Sequence, residues 1–167
     1  GFATGMKVIE LARLTVADLL DEKGAYLKDS VIRPEIAFNG KERPVSWLSR
    51  KLQPYLDGYF AERLKLRHGL TTNRTAYRGP YPQPPLLLTD EGQPLPIDRR
   101  KTKAGSVSLT CTSLTRLISR RMRESGIEGG SAESMRRTFA INLQRKGHSI
   151  TIIHRLLGNA GLKTTKR

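Results

Sequence analysis

Two adjacent arginines stand near the start of a helical pattern at residues 132–140, AESMRRTFA. A guanidinium group is planar, permanently charged and able to donate two parallel hydrogen bonds to one phosphate. Arg136 is therefore a candidate phosphate ligand, with Arg137 as a second cation beside it. Glu133 stands one helical turn before Arg136 and brings a carboxylate to the same face. The alternative interpretation of Arg136 is a buried salt bridge to Glu133 or Glu10.

The charge balance of the chain bears on what its partner is. The 167 residues include 30 Lys and Arg against 15 Asp and Glu, a net charge of +15. Residues 113–167 alone hold 12 of the cations and 3 glutamates. An enzyme for small neutral metabolites rarely needs such an excess, whereas a protein lying along phosphates gains affinity from each cation. A solubility surplus or a membrane-surface patch is the alternative, and nucleic acid is the favoured partner.

The cysteine and histidine content argues against a metal or disulfide protein. Cys111 is the only cysteine, so neither an internal disulfide nor a Cys-based zinc site can form. His68, His148 and His154 are not at metal-ligand spacing. We therefore expect no cofactor, metal or small-molecule partner. The apolar runs are too short to span a membrane, and a reducing cytoplasm is the expected location.

The hydrophobic pattern predicts a mixed α+β domain that is mainly helical. Helices are expected over residues 1–20, 49–67, 113–125, 132–146 and 149–157. Thr15 and Asp18 have the spacing of a capping box that starts a short second helix within the first segment. In the helix at 113–125 the apolar residues share one side, and Arg116, Arg120 and Arg123 lie elsewhere.

Residues 24–46 and 69–105 have a different character from the helices. The first segment predicts a small antiparallel sheet of three strands, with Asn39-Gly40 as the hairpin turn. The second predicts a long proline-containing surface loop with one short strand at residues 85–89. The basic run RRKTK at 99–103 is predicted to be a solvated face of that loop.

Two separated stretches resemble the conserved boxes of the tyrosine recombinases, the phage-integrase family. AESMRRTFAINLQRKGHSITIIHRLLGNAGLKTTKR resembles the second box, and ATGMKVIELARLTVADL resembles the first, with Glu10, Leu11, Leu14 and Asp18 at the expected places. NGKERPV is similar to the end of the family's β-hairpin. The resemblance spans nearly the whole chain and implies one catalytic-type domain over residues 1–167, with the small sheet packed beside the helices.

The resemblance implies phosphoryl transfer on duplex DNA without a metal. In the family two arginines grip the scissile phosphate, a hairpin lysine protonates the leaving oxygen, and a tyrosine attacks. A histidine handles the proton of the tyrosine, and a second His or Trp hydrogen-bonds the phosphate. The resemblance also implies self-assembly on DNA, an additional N-terminal domain, and a bacterial or phage origin.

The family's catalytic residues carry over poorly to this sequence. Arg136 falls on the second clamp arginine, and Lys7 falls where the first should be. Glu133 replaces the box histidine, Arg137 replaces the second histidine, and Asn159 replaces the His or Trp. Lys7 keeps the charge but loses the bidentate fork of an arginine. An ionised glutamate can only accept hydrogen bonds and adds negative charge where a phosphate should bind.

The remaining two positions also depart from the family pattern. The hairpin lysine falls on or near Phe38, and Lys41 is the nearest substitute. The family's tyrosine would follow Arg167, and no tyrosine lies between Tyr81 and that residue. The residues expected to contact DNA are Lys7, Lys41, Arg43, Arg136, Arg137 and Lys163.

Three hypotheses follow from these departures. The first is a recombinase-like domain that binds DNA and is catalytically impaired. The second is an active, divergent integrase whose tyrosine lies just beyond Arg167. The third is a regulatory or structural protein that reuses the fold without chemistry. A tyrosine after Arg167 separates the first two, and measurable DNA binding separates the first from the third.

Overall fold

The described residues of a computed structural model are 2–28, 30–101, 105 and 107–165, and they form a mixed α+β structure dominated by helices. The helices are α1 Val8–Arg13, α2 Gln53–Leu66, α3 Thr112–Glu124, α4 Ala132–Arg145, α5 Ile150–Leu157 and α6 Leu162–Thr165. The strands are β1 Ser30–Ile32, β2 Arg43–Val45, β3 Asp98–Lys101 and β4 Val107–Thr110. The α+β class and the predicted helices at 49–67, 113–125, 132–146 and 149–157 are confirmed. The helix expected over residues 1–20 is reduced to α1 and a 3-10 turn at Val16–Asp18.

The predicted three-stranded sheet is wrong. The described strands form two separate antiparallel pairs, β1 with β2 and β3 with β4. Tyr26, in the segment expected to supply the third strand, makes only an isolated bridge to Leu20. A second correction is that β3 lies inside the predicted loop, with Arg99, Arg100 and Lys101 exposed along it. Residues 102 and 103 of the basic run lie outside the described residues.

The connection between β1 and β2 is longer than the Asn39-Gly40 signal predicts. Residues 33–37 form a helical turn, because the N–H groups of Ile36 and Ala37 both bond to the Arg33 carbonyl. Ile36 and Ala37 are buried in the core, and this burial determines the path of the segment. Gly40 does adopt a positive φ of 67°, but it ends a wide connection and not a two-residue hairpin turn.

The core lies between α1, β1, β2 and α2. Its members include Met6, Leu14, Leu19, Ile32, Trp47 and Phe60. Residues 85–89, expected to be a strand, instead make only isolated bridges at Pro85 and Leu88, with Leu86 buried in the core. There the Leu86 N–H bonds to the Leu14 carbonyl, and buried Arg63 of α2 donates to the Leu86 carbonyl.

The capping residues predicted for the last helices are confirmed. The Ser149 hydroxyl accepts from the Ile152 N–H at 3.3 Å and begins α5. Gly158 ends α5 in the left-handed region with φ 64°. These two residues set the direction in which the chain enters and leaves α5. Within the described part of the chain, no helix has the length and apolarity needed to cross a membrane.

Asp18 fixes the first turn after α1. Its carboxylate accepts from both the N–H and the hydroxyl of Thr15 at 2.8 Å, as the capping-box spacing predicts. It also accepts from Arg33 Nε at 2.6 Å. Burial raises the pKa of Asp18, but the hydrogen bonds from Arg33 and Thr15 outweigh burial and hold that pKa below its ordinary value.

We expect Asp18→Asn to lower the free energy of unfolding by about 2 kcal/mol at neutral pH, since it removes charged hydrogen bonds. A lowered folded-state pKa adds stability above the unfolded value of about 4 and loses it as pH falls through the folded value. The difference between variant and wild type should therefore shrink below about pH 4. Urea unfolding at neutral and acid pH measures it, with exposed Asp90→Asn as control. A difference that is independent of pH contradicts this role.

Candidate functional site

A cavity of about 240 Å³ brings together most of the residues that the sequence singled out. Its lining combines cations, one carboxylate and an amide between α1, α4 and the end of α5. The lining residues are Lys7, Glu133, Arg136, Arg137, Ala140, Leu157, Asn159 and Thr165. Lys41, Arg43 and Lys163 are not among them. We call this cavity the Lys7–Arg137 pocket.

Arg136 is buried and bonded mainly to backbone. It is 3% exposed and donates from Nη1 to the Gly5 carbonyl and from Nη2 to the Leu157 carbonyl. Nη2 also donates to Asn159 Oδ1 at 2.9 Å. The expected alternative, a salt bridge to Glu133 or Glu10, is thus half right: the side chain is buried, but the partners that accept its hydrogen bonds are carbonyls and an amide. Arg136 joins three segments that are distant in sequence.

The charge on Arg136 is set by competing neighbours. Burial, followed by the nearby guanidinium of Arg43, lowers the pKa of Arg136. The carboxylates of Glu10 and Glu133 act in the opposite direction. Glu133 is exposed at the pocket rim, so its negative charge faces the volume that an anion would enter. Arg136 therefore supplies positive potential at the pocket floor, and Glu133 reduces it at the rim.

Asn159 is held at both ends of its amide. Oδ1 accepts from Arg136, and Nδ2 donates to Thr165 Oγ1 at 3.0 Å. One of the two Nδ2–H donors of Asn159 is therefore used within the protein. Thr165 also bonds to His154 Nδ1 at 3.1 Å. Thr165 was not among the predicted site residues, although it lies within the stretch that resembles the second box.

Lys7 is a pocket cation whose side chain contacts an aromatic ring. It lies just before α1 and is half-buried, with Nζ 4.2 Å from the centre of the Phe38 ring. Phe38 also lies near buried Arg136 and Arg43, whose Cζ atoms are 5.5 and 5.8 Å from the ring centre. The position expected for a catalytic lysine is thus occupied by an aromatic ring surrounded by cations.

Arg43 is a core residue and not a surface cation. It is 4% exposed, and both terminal nitrogens bond to the carboxylate of Glu10, which is fully buried. Its Nε donates to the Leu156 carbonyl at 3.1 Å. The predicted contact of Arg43 with DNA is incompatible with this burial. Its partner lies 33 residues away, and only the alternation of buried Arg43 and Val45 in β2 could have signalled it.

Lys41 and Lys163 are exposed away from the pocket. Lys41 lies at the turn before β2, where its N–H bonds to Asn39 Oδ1 at 3.0 Å. Lys163 lies on the short α6. In the part of the chain that the structure describes, no three His, Cys, Asp or Glu residues cluster as metal ligands would. Lys7, Arg136 and Arg137 give the pocket a cationic lining that is suited to binding an anion.

Solved structures with the same architecture exist. XerA recombinase superposes with a TM-score of 0.65 and 21% identity over 99% of this chain and 48% of its own. XerH site-specific recombinase, bound to a palindromic difH substrate in a post-cleavage complex, gives 0.63 and 22%, covering 99% and 38%. Tn1549 transposon integrase with a circular intermediate DNA gives 0.58 and 17%, covering 98% and 50%.

The chain has the tyrosine-recombinase fold. No protein-family model matches the sequence, and no curated protein is detectably similar to it. The chain spans half or less of each of these three recombinase and integrase chains. The fold implied by the two sequence boxes is therefore confirmed by three-dimensional shape, at identities too low to carry residue roles across.

Within the tyrosine-recombinase fold, we expect Arg136 to act first as a structural residue. Arg136→Ala leaves the carbonyls of Gly5 and Leu157 without their donor and should lower the free energy of unfolding by about 3 kcal/mol or more. Arg136→Lys should recover only part of the loss, because a compact ammonium cannot reach all three acceptors, which lie on two separate segments. Urea unfolding measures both variants.

The matched control is the neighbouring arginine. Arg137 is exposed at the pocket rim, so Arg137→Ala should change the free energy of unfolding by no more than about 0.5 kcal/mol. Equal stabilities of the Arg136→Ala and Arg137→Ala proteins would show that the buried contacts of Arg136 do not hold the fold together.

Proposed function

We propose that this chain is the DNA-binding, catalytic-type domain of a site-specific recombinase or integrase, and that in this form it does not cut DNA. The observation that carries the proposal is a row of three adjoining depressions lined by cations, which we call the trough. The Lys7–Arg137 pocket shares Lys7 with a neighbouring depression between α1, Phe38 and β4. That depression shares Thr115 with a third one along α3.

The trough carries seven cations and one carboxylate. The cations are Lys7, Arg13, Arg116, Arg120, Arg123, Arg136 and Arg137, and the carboxylate is Glu133. On α3 the spacing of Arg116, Arg120 and Arg123 places them on one side, opposite the buried Leu114 and Met122. A stripe of cations on the face that does not pack is suited to a phosphate backbone.

Two further observations support duplex DNA as the partner. The net charge of +15 favours a polyanion over a single small anion, because each neutralised phosphate releases a counterion. The XerH and Tn1549 integrase structures are complexes with DNA. A regulatory protein that keeps the fold without binding DNA would need no trough of this charge.

Impaired chemistry is proposed on the contacts in the pocket. One Nδ2–H of Asn159 is bonded to Thr165, and Arg136 donates to three acceptors within the protein. Phe38 cannot donate a proton to a leaving oxygen. A general acid is worth about 10²–10⁴ in rate. One lost donor to developing charge costs about 10²–10³. These factors do not multiply simply in a site that acts as a unit, so we expect a loss of several orders of magnitude.

The trough predicts a steep salt dependence of duplex binding. The logarithm of the association constant should fall with the logarithm of salt concentration, and each phosphate contact adds about 0.9 to the slope. Replacing Arg116, Arg120 and Arg123 together with Gln should weaken binding at low salt and reduce the slope by about 2 to 3. Fluorescence anisotropy with a random-sequence duplex, over about 50 to 200 mM salt, measures both.

A charge-matched variant tests whether the position of the cations matters. Lys23, Lys28 and Arg74 are exposed and do not line the trough. Changing these three to Gln removes the same charge and should leave the slope nearly unchanged. Equal slopes for the two triple variants contradict the trough, and a flat salt response in the unmodified protein favours the regulatory or structural alternative.

The proposal also predicts that a nucleophile alone does not restore cutting. We expect the chain extended by a tyrosine after Arg167 to form no covalent complex on a nicked suicide duplex that traps the cleaved intermediate. The reason is that the pocket still lacks a proton donor at Phe38 and a bidentate guanidinium at Lys7. A denaturing gel detects a DNA-linked band, with XerH on its difH substrate as the positive control.

A second variant of the extended chain makes the absence of a DNA-linked band informative. The tyrosine-extended chain with Lys7→Arg, Phe38→Lys and Glu133→His should give more DNA-linked product than the extended chain alone. A strong band from the chain that carries only the added tyrosine would favour the active, divergent integrase.

A further inference from the structure

We propose that Phe38 is a positioning residue, whose ring holds the Lys7 ammonium in the trough ready to receive an anion. The inference rests on the proposed DNA binding and adds a residue that acts through Lys7 without touching phosphate itself. Lys7 Nζ lies 4.2 Å from the ring centre, well within the range of a cation–π contact. Lys7 also lines both the Lys7–Arg137 pocket and the adjoining depression.

The ring and the lysine are held by the same buried carboxylate. Glu10 Oε2 accepts from the Lys7 N–H at 2.8 Å, and Glu10 Oε1 accepts from the Phe38 N–H at 3.2 Å. Both backbones are therefore fixed relative to each other before any ligand arrives. The remaining conformational freedom lies in the lysine side chain, which has four rotatable bonds. A contact that restrains its end removes an ordering cost from anion binding.

An aromatic ring suits this place better than a charged partner would. The guanidinium groups of Arg43 and Arg136 already lie 5.8 and 5.5 Å from the ring centre. The Lys7 ammonium beside the same ring is therefore repelled by two neighbouring cations. The face of the ring offers negative potential without net charge. A carboxylate would hold Lys7 more tightly but would compete with an incoming phosphate. Phe38 therefore attracts the ammonium and leaves its charge available to a phosphate.

Stepwise fluorination of the Phe38 ring tests the electrostatic part of the proposal. Mono-, di- and trifluorophenylalanine at position 38 weaken the negative ring face progressively while nearly conserving its shape. We expect duplex affinity at fixed salt to fall in steps, reaching about three- to tenfold for the trifluoro ring. The upfield ring-current shift of the Lys7 side-chain protons, measured by NMR without DNA, should diminish in the same order.

Two controls separate positioning from packing. In the Lys7→Met background, fluorination of Phe38 should leave duplex affinity unchanged, because the partner of the ring is gone. The same series at exposed Phe2, which has no cation over its ring in the described part of the chain, should have no effect. Affinity and Lys7 shifts that stay constant across the Phe38 series overturn the proposal and leave the ring a packing residue.

The outcome of this test is distinct from that of the proposed function. If the unmodified protein does not bind duplex DNA, the proposed function fails regardless of Phe38. Lys7 shifts that still respond stepwise would then support the Phe38–Lys7 contact on their own. If the unmodified protein binds DNA and the fluorination series is flat, the proposed function stands and the positioning role is overturned.

Discussion

The carboxylate of Glu10 is the interaction on which the geometry of the site depends. It is fully buried and receives four donors: the N–H groups of Lys7 and Phe38 and two nitrogens of Arg43. A buried ion costs several kcal/mol unless its hydrogen-bonding capacity is met, and here each oxygen has two donors. Because the four donors come from α1, the Phe38 turn and β2, this carboxylate sets the positions of all three together. Loss of it would leave Arg43 as an uncompensated buried cation.

Through Arg43, the hydrogen bonds of the Glu10 carboxylate connect to the end of α5. The last carbonyls of a helix lack partners within the helix and carry partial negative charge. Arg43 donates to the Leu156 carbonyl, Arg136 to the Leu157 carbonyl, and Asn39 to the Gly158 carbonyl at 2.8 Å. The Cβ of any other residue at Gly158 would lie 2.8 Å from the Arg43 side chain, so glycine is needed for this approach as well as for its positive φ. Two buried guanidinium groups thus serve the fold, and the remaining pocket cations are half-buried Lys7 and exposed Arg137.

The sequence predicted local features well and long-range pairing poorly. Periodicity located the helices, and the Thr15–Asp18 spacing identified a hydrogen-bonded turn, because both signals arise from neighbours in the chain. The resemblance to the two boxes also predicted that Lys7 and Arg136 share one site, and both line the same pocket. The burial of Arg43 was missed, since the general tendency of arginine to be exposed gives no hint of a carboxylate 33 residues away. The prediction of a two-residue hairpin turn was wrong because burial of Ile36 and Ala37 in the core overrides the local signal at Asn39-Gly40. The predicted third strand is replaced by an isolated bridge between Tyr26 and Leu20.

The two parts of the proposed function respond differently to the loss of single residues. Affinity for a phosphate backbone is spread over many cations, and each one lost lowers it by a limited step. Catalysis requires all donors of one small site to act together, so removing one member removes most of the rate. Under the proposed function, the groups expected to act on a scissile phosphate are partly bonded within the protein, as at Asn159, or replaced, as at Phe38. Among the α3 cations of the trough, Arg120 forms a long 3.8 Å pair with Glu124, and Arg116 and Arg123 form no ion pair within the described residues. A recombinase fold that changes in this way loses cutting before it loses binding.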